Sequence, residues 1–291
     1  MSVRGRARLP LNLRSVWVVA RKEFLDNVRN RWVVAISGVF VVLALVVSYF
    51  GAAQAQGRTG FRGLGATVLG MQNLQGLLVP ILALMLGYGA VVGEKEQGSM
   101  LLLLAMPISR LEAMVGKFLG LGSVLAVALA SGLGAAGAVI AAAAGAEGLG
   151  SYLVFVLGSL LFALAFLSVG LLASTVAKKR STAIGLAILL WFFFVVIFDT
   201  ILIGAYVAGG GTFTPGSRSL DLPDWYHAIA MGNPRDAFGM FAQLAFGTTE
   251  VFGVSVRLPG FVTLGGTALS MLAWTAIPLA LAIWMFQRQD V

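Results

Sequence analysis

The chain has 291 residues, 59% of them hydrophobic and 11% charged, with a mean hydropathy of +0.93, a net charge of +8 and no cysteine. An apolar share so far above the roughly half found in soluble domains excludes a soluble globular protein, and the missing thiols exclude disulfides, thiolate metal sites and cysteine catalysis. The basic balance does not point to nucleic acid, because Lys and Arg lie beside apolar runs, where anionic lipid headgroups account for them.

From the N-terminus, Leu13, Trp17, Ala20, Phe24, Val28 and Trp32 recur at steps of three or four, with Arg14, Arg21, Lys22, Asp26, Asn27 and Arg31 between them. This spacing predicts an amphipathic helix over 12–32 lying in the membrane interface, its tryptophans at headgroup level; the alternative is a solvated juxtamembrane face. Six apolar stretches follow, at 33–53, 74–92, 118–144, 152–177, 182–207 and 264–286. Each reaches the roughly 18 to 20 residues that crossing a bilayer requires. The first begins after about 32 polar and basic residues and is long, so it is read as an anchor rather than a cleaved signal peptide.

Orientation follows from the positive charges, which favour cytoplasmic loops. With the N-terminus inside, 15 of the 20 basic residues fall on inner segments; Arg58, Arg62, Arg218, Arg235 and Arg257 are left outside. The expected fold class is therefore an all-α integral membrane protein: one domain over 1–291, six transmembrane helices, both termini cytoplasmic, multi-pass in the cytoplasmic membrane.

Between the second and third stretches lies a charged turn and a short apolar helix, within a loop over 93–112. A helix of about seven residues cannot cross ~30 Å of hydrocarbon, and bare it would expose an apolar strip to water. It is either a plug for a partner's groove or an interfacial helix on lipid.

The run Gly93-Glu94-Lys95-Glu96-Gln97-Gly98-Ser99, then the leucines, then Pro107-Ile108-Ser109-Arg110 resembles the coupling element of ABC-2 type permeases, the membrane subunits of ATP-driven exporters. The resemblance implies that Glu94, Glu96, Gly98, Leu101, Leu102, Leu103, Leu104, Pro107 and Arg110 couple to an ATPase. Leu101 and Leu102 stand where many members have an acidic residue. With Ala20-Arg21-Lys22-Glu23, Arg29-Asn30-Arg31-Trp32 and Phe198-Asp199, the chain looks most like the members that support copper-site maturation in nitrous-oxide reductase. That likeness implies two copies of an ABC ATPase subunit carrying ATP and Mg, and a second copy of the permease meeting it around the first and fifth spans. It also implies a periplasmic β-helical accessory subunit.

No Gly-x-x-x-x-Gly-Lys-Ser/Thr phosphate loop occurs; the nearest fragment, Gly116-Lys117-Phe118, lacks the upstream glycine and the hydroxyl. The chain is thus expected to bind no cofactor and to be no enzyme itself. The third stretch is rich in small residues, Gly116, Gly120, Gly122, Gly132, Gly134 and Gly137 among them, and is expected to be surrounded by neighbouring helices. Asp199 is the one acidic residue inside a stretch, about 19 residues from Arg180 and near the outer headgroups. It reads either as a proton or cation site or as a partner in an outer hydrogen bond.

The polar loop over 209–263 holds a helix signal at Asn233 (cap), Pro234 and Asp236. Asn233, Pro234, Arg235 and Asp236 are expected to cap the cavity or to dock an outer partner. No metal site is expected, the weak candidates being His227 and Met231, four residues apart. The function expected is a permease subunit that transmits ATP-driven motion to a periplasmic partner. Export of a lipid-like or other small apolar compound is the alternative, and a passive membrane scaffold the second.

Overall fold

The computed structural model describes residues 12–53, 65–98, 108–212, 219–220, 222–248, 250–251 and 254–289. Among these, six helices are long and apolar enough to cross a membrane, one in each of the apolar stretches. They run Arg31–Ala53, Gly65–Gly87, Arg110–Ala144, Leu149–Val176, Arg180–Ala208 and Leu264–Arg288, and are here called the first to sixth spans. Six crossings return the chain to the end where it started, which we call the terminal end; the opposite one is the far end.

The fourth span is central. Its Phe155, Phe162, Phe166, Leu167 and Leu171 are fully buried against the second, third and sixth spans and a helix of the far end. In lipid no water is squeezed out between helices, so close approach of small residues decides which helices touch. A Cβ on Gly87 would lie 2.8 Å from the Cα of Gly170, so the second and fourth spans meet backbone to backbone. Along the third span Gly116 and Gly120 admit the N-terminal helix, Gly132 admits the ring of Phe40 and Gly137 that of Tyr152. The third span is enclosed along these faces as its composition foretold.

Its helix has 35 residues, roughly 52 Å at 1.5 Å each and well beyond the ~30 Å of a hydrocarbon core. The excess gives the N-terminal helix, Leu13–Val28, something to lie on. That helix buries Val16, Val19, Ala20 and Glu23, whereas Leu13, Trp17 and Trp32 stay exposed. Of the stripe picked out by its spacing, Ala20 is buried and Phe24 packs against the core, while Leu13 and Trp17 are exposed, so the contact face overlaps the stripe without coinciding with it.

The far end departs from a wholly helical reading. Asp224–Ala230 and Pro234–Phe246 are helices, but Ser219–Leu220, Glu250–Val251 and Val254–Val256 form a small sheet of order β1-β3-β2, numbered in chain order. Ser219 pairs with Ser255 in parallel, and Glu250 with Ser255 antiparallel. The β-branched run around Val251, Val254 and Val256 favours the extended chain. Helix Pro234–Phe246 enters the bundle: Phe238 stacks on Phe162 at 4.6 Å, and Phe241 fills the space that Gly158 leaves.

Candidate functional site: the inner turn and its charge cluster

The second span ends at Gly87, and after a turn a five-residue helix, Val92–Glu96, holds the acidic pair of the loop. This short helix is tied on every side. The Ser174 hydroxyl of the fourth span accepts from the amides of Val91 and Val92 at 3.0 and 3.1 Å. Glu96 accepts the backbone amide of Arg180, at the start of the fifth span, at 2.8 Å. Lys95 donates to Gln289 just beyond the sixth span, and the Gln289 amide in turn donates to the Thr175 carbonyl at 2.8 Å.

Glu94 makes the fourth and fifth ties. Its Oε1 lies 2.8 Å from Lys117 Nζ of the third span and 2.9 Å from Lys22 Nζ of the N-terminal helix. Lys117 also reaches Glu23 at 2.7 Å. The side chains of Lys117, Glu23 and Glu94 are 1%, 8% and 15% exposed. Two lysines against two carboxylates leave no net charge, the condition under which buried ions are tolerated. Burial lowers the Lys22 pKa, but Glu94 first and then Glu23 and Asp26 outweigh it, so the ammonium is held above its usual range.

The rest of the motif holds helix ends. Ser109 caps the third span, accepting from the Glu112 amide at 3.2 Å while Glu112 accepts from the Ser109 amide at 2.7 Å, a capping box. Glu112 also takes the Asn12 amide at 2.6 Å, joining the caps of two helices. Arg110 donates to the carbonyls of Phe286 at 2.9 Å and Gln287 at 3.1 Å, and to that of Gln289. Those are the orphan carbonyls at a helix C-terminus, where a cation also meets the negative end of the helix dipole.

Glu94, Glu96 and Arg110, expected to couple to an ATPase, each have a close partner inside the chain, Glu96 while itself exposed. Gly98 follows the short helix at φ +71°, a left-handed turn that glycine adopts without strain. Leu101, Leu102, Leu103, Leu104 and Pro107 lie outside the described residues. The sequence did not single out Lys117, Ser174 or Gln289. A lysine flanked by Gly116 and Gly120 in an apolar helix, opposite a glutamate of an amphipathic one, was the available signal for the first; Ser174 and Gln289 had none.

At the far end the fifth span passes through a π-helical turn, Phe193–Ile197, just before Asp199. Asn233 donates to the Phe194 carbonyl in that turn at 2.9 Å and to Asp236 at 3.1 Å. Arg235 Nη1 pairs with Asp199 and lies 3.4 Å from Asp236. Asn233 and Pro234 are buried, so this group fastens helix Pro234–Phe246 to the fifth span. Asp199 accepts a charge-assisted hydrogen bond from Arg235 there.

Tyr226, His227, Gln72 and Gln243 line a cavity of about 230 Å³ beside the group. Burial first, then Asp236 and Asp199, push the Tyr226 hydroxyl up to about 12. Burial also lowers the His227 pKa against the opposing pull of Asp224, so the ring is neutral at neutral pH. Among the described residues no three His, Asp or Glu side chains converge on a metal position.

The model of the ABC-2 family transporter protein family matches residues 17–291. A probable ABC transporter permease protein NosY of Pseudomonas aeruginosa is 38% identical over 282 residues, which cover 95% of this chain and 99% of that protein. Another from Stutzerimonas stutzeri is 36% identical over 285 residues, with the same coverage.

Proposed function

The chain belongs to the ABC-2 transporter family as a multi-pass permease subunit similar to NosY, and from that premise we propose that it transmits the work of a separate cytosolic ATPase to the far side of the cytoplasmic membrane. The single observation behind this reading is the inner turn: five residues, Val92–Glu96, with the preceding amide of Val91, hold the N-terminal helix and the third to sixth spans. A displacement applied there reaches every helix of the terminal end except the first span, and reaches the second through the chain itself. On this reading the terminal end faces the cytosol, where 15 of the 20 basic residues would lie.

ATP and Mg would sit on the partner, since the sequence lacks a phosphate loop. Two ATPase copies would then serve two copies of this chain. The bundle centre is filled by stacked rings, Phe155, Phe162, Phe166 and Phe238, which favours transmission over passage of a compound through a single copy. The recipient of the motion would be a periplasmic β-helical subunit in a system maturing the copper sites of nitrous-oxide reductase, as the likeness to NosY suggests. The leucines 101–104 would be the knob that the ATPase grips. Replacing Leu101 and Leu104 with Gln is expected to abolish recovery of the ATPase from membranes by affinity capture of the permease. Undiminished recovery would reject the knob.

A further inference from the structure

The far-end group contains two carboxylates and a single guanidinium, and that imbalance has a consequence independent of any ATPase. Asp199 and Asp236 both lean on Arg235 Nη1, with the three side chains 31%, 17% and 24% exposed. With both acids ionised the group has a net charge of −1 in a site poorly reached by water, which is unfavourable unless one proton is taken up. Among the described residues, the titratable and charged groups on adjoining elements do not supply the missing positive charge. The second span contributes only amides, Gln72, Asn73 and Gln75; helix Asp224–Ala230 contributes Asp224, Tyr226 and a neutral His227; and Arg257, between two cavity-lining residues, is exposed. Consistent with that, burial first and then the Asp199 carboxylate raise the Asp236 pKa well above the ordinary range, with Arg235 opposing.

The same group borders the 230 Å³ cavity, in which both His227 ring nitrogens, Gln243 Oε1 and Arg235 Nε are buried without hydrogen-bond partners among the described residues. At ~30 Å³ per water, a polar cavity of that size holds several, with orphaned groups to bind them. Water there gives the carboxylates a route for exchange.

We propose that Asp199 and Asp236 together bind one exchangeable proton, taken from water in this cavity, and that the loaded pair clamps helix Pro234–Phe246 onto the π-helical turn of the fifth span. When the proton passes to cavity water no other bond changes. Asp236 becomes a second carboxylate against Asp199, competing with it for Arg235, and the clamp is left to the Arg235–Asp199 pair and to Asn233, which spans Asp236 and the Phe194 carbonyl. The clamped state holds more protons than the released one, so the clamp is complete at low pH and weakens as pH rises through the raised Asp236 titration. The release equilibrium grows by up to about tenfold per pH unit. This goes beyond the proposed transmission role and stands or falls without it.

The test uses the full chain in detergent. Infrared spectra are recorded for a protonated carboxylic acid, and amide hydrogen exchange is followed over 234–246, both across pH. At neutral pH the unaltered protein is expected to show an acid carbonyl band that Asp236→Asn removes, and also Asp199→Asn, because the neighbouring charge is then gone. Protection of the helix, taken relative to the base-catalysed exchange of an unstructured peptide at the same pH, should fall with pH in the unaltered protein and in His227→Asn, but not in Asp236→Asn, whose amide mimics the loaded state and keeps the fold. The proposal is overturned if the acid band is absent, if it survives both Asn substitutions, if the pH response persists in Asp236→Asn, or if it vanishes in His227→Asn.

Discussion

Replacing Lys117 with Met is expected to destabilise the protein by about 3–5 kcal/mol, the cost of removing one partner from a buried ion pair. Methionine fits the space, but Glu23 and Glu94 then face each other with only Lys22 to answer both, and Lys22 is half exposed. Unfolding in detergent followed by tryptophan fluorescence measures the loss. Lys22→Ala is the contrasting case: a half-exposed lysine contributes no more than about 1 kcal/mol. The triple change Lys117→Met, Glu23→Gln and Glu94→Gln should recover most of the loss, since a neutral set leaves no charge stranded. A Lys117→Met protein as stable as the unaltered one would mean that the cluster is open to water, contrary to the burial described here.

Gly120→Leu is expected to detach the N-terminal helix. A Cβ at that position falls 2.4 Å from the Ala20 carbonyl oxygen and 2.7 Å from Glu23 Cβ. The first of those atoms is backbone, so the helix itself must move. Overpacking of this kind costs about 1–3 kcal/mol, and the displaced helix also withdraws Glu23 from Lys117 and exposes Val16, Val19 and Ala20. Limited trypsin digestion reports it directly, through faster cleavage at Arg14, Arg21 and Lys22. Gly134→Leu, on the same span with nothing within 4 Å of its Cβ, should digest like the unaltered protein. Equal digestion of the two variants would contradict the packing of the helix on the third span.

These two variants mark where sequence reasoning reached and where it stopped. Length and apolarity fix a transmembrane helix almost alone, because a bilayer accepts no other backbone at its centre except a closed barrel; the six spans were legible for that reason. The cap at Asn233 and the small-residue face of the third span were legible too, each being a local pattern with a local cause. What joins distant segments was not. Lys117 and Glu94 are 23 positions apart and Lys117 and Glu23 are 94 apart, and nothing in either segment states that they meet.

The amphipathic stripe of the N-terminal helix was legible in part: Ala20 and Phe24 meet the bundle, together with Val16, Val19 and Glu23, which the spacing left out, and Trp17 and Trp32 stay outward where tryptophans suit a membrane interface. At the far end the motif reading treated Asp199 and the residues 233–236 as separate features. The π-helical turn, which no sequence pattern announces, turns the Phe194 carbonyl to Asn233 and unites them.

The central claim is that the inner turn transmits force by way of Glu94, and one measurement addresses it most directly. Spin labels at the terminal end and on helix Pro234–Phe246 report their separation in the complex reassembled with its ATPase, with and without ATP. Glu94→Ala leaves Lys117 its second partner, Glu23, so the bundle should hold and the ATPase should still bind and hydrolyse ATP. The account predicts that the ATP-driven change in separation is then lost. The same change in separation in the Glu94→Ala complex as in the unaltered one would contradict it.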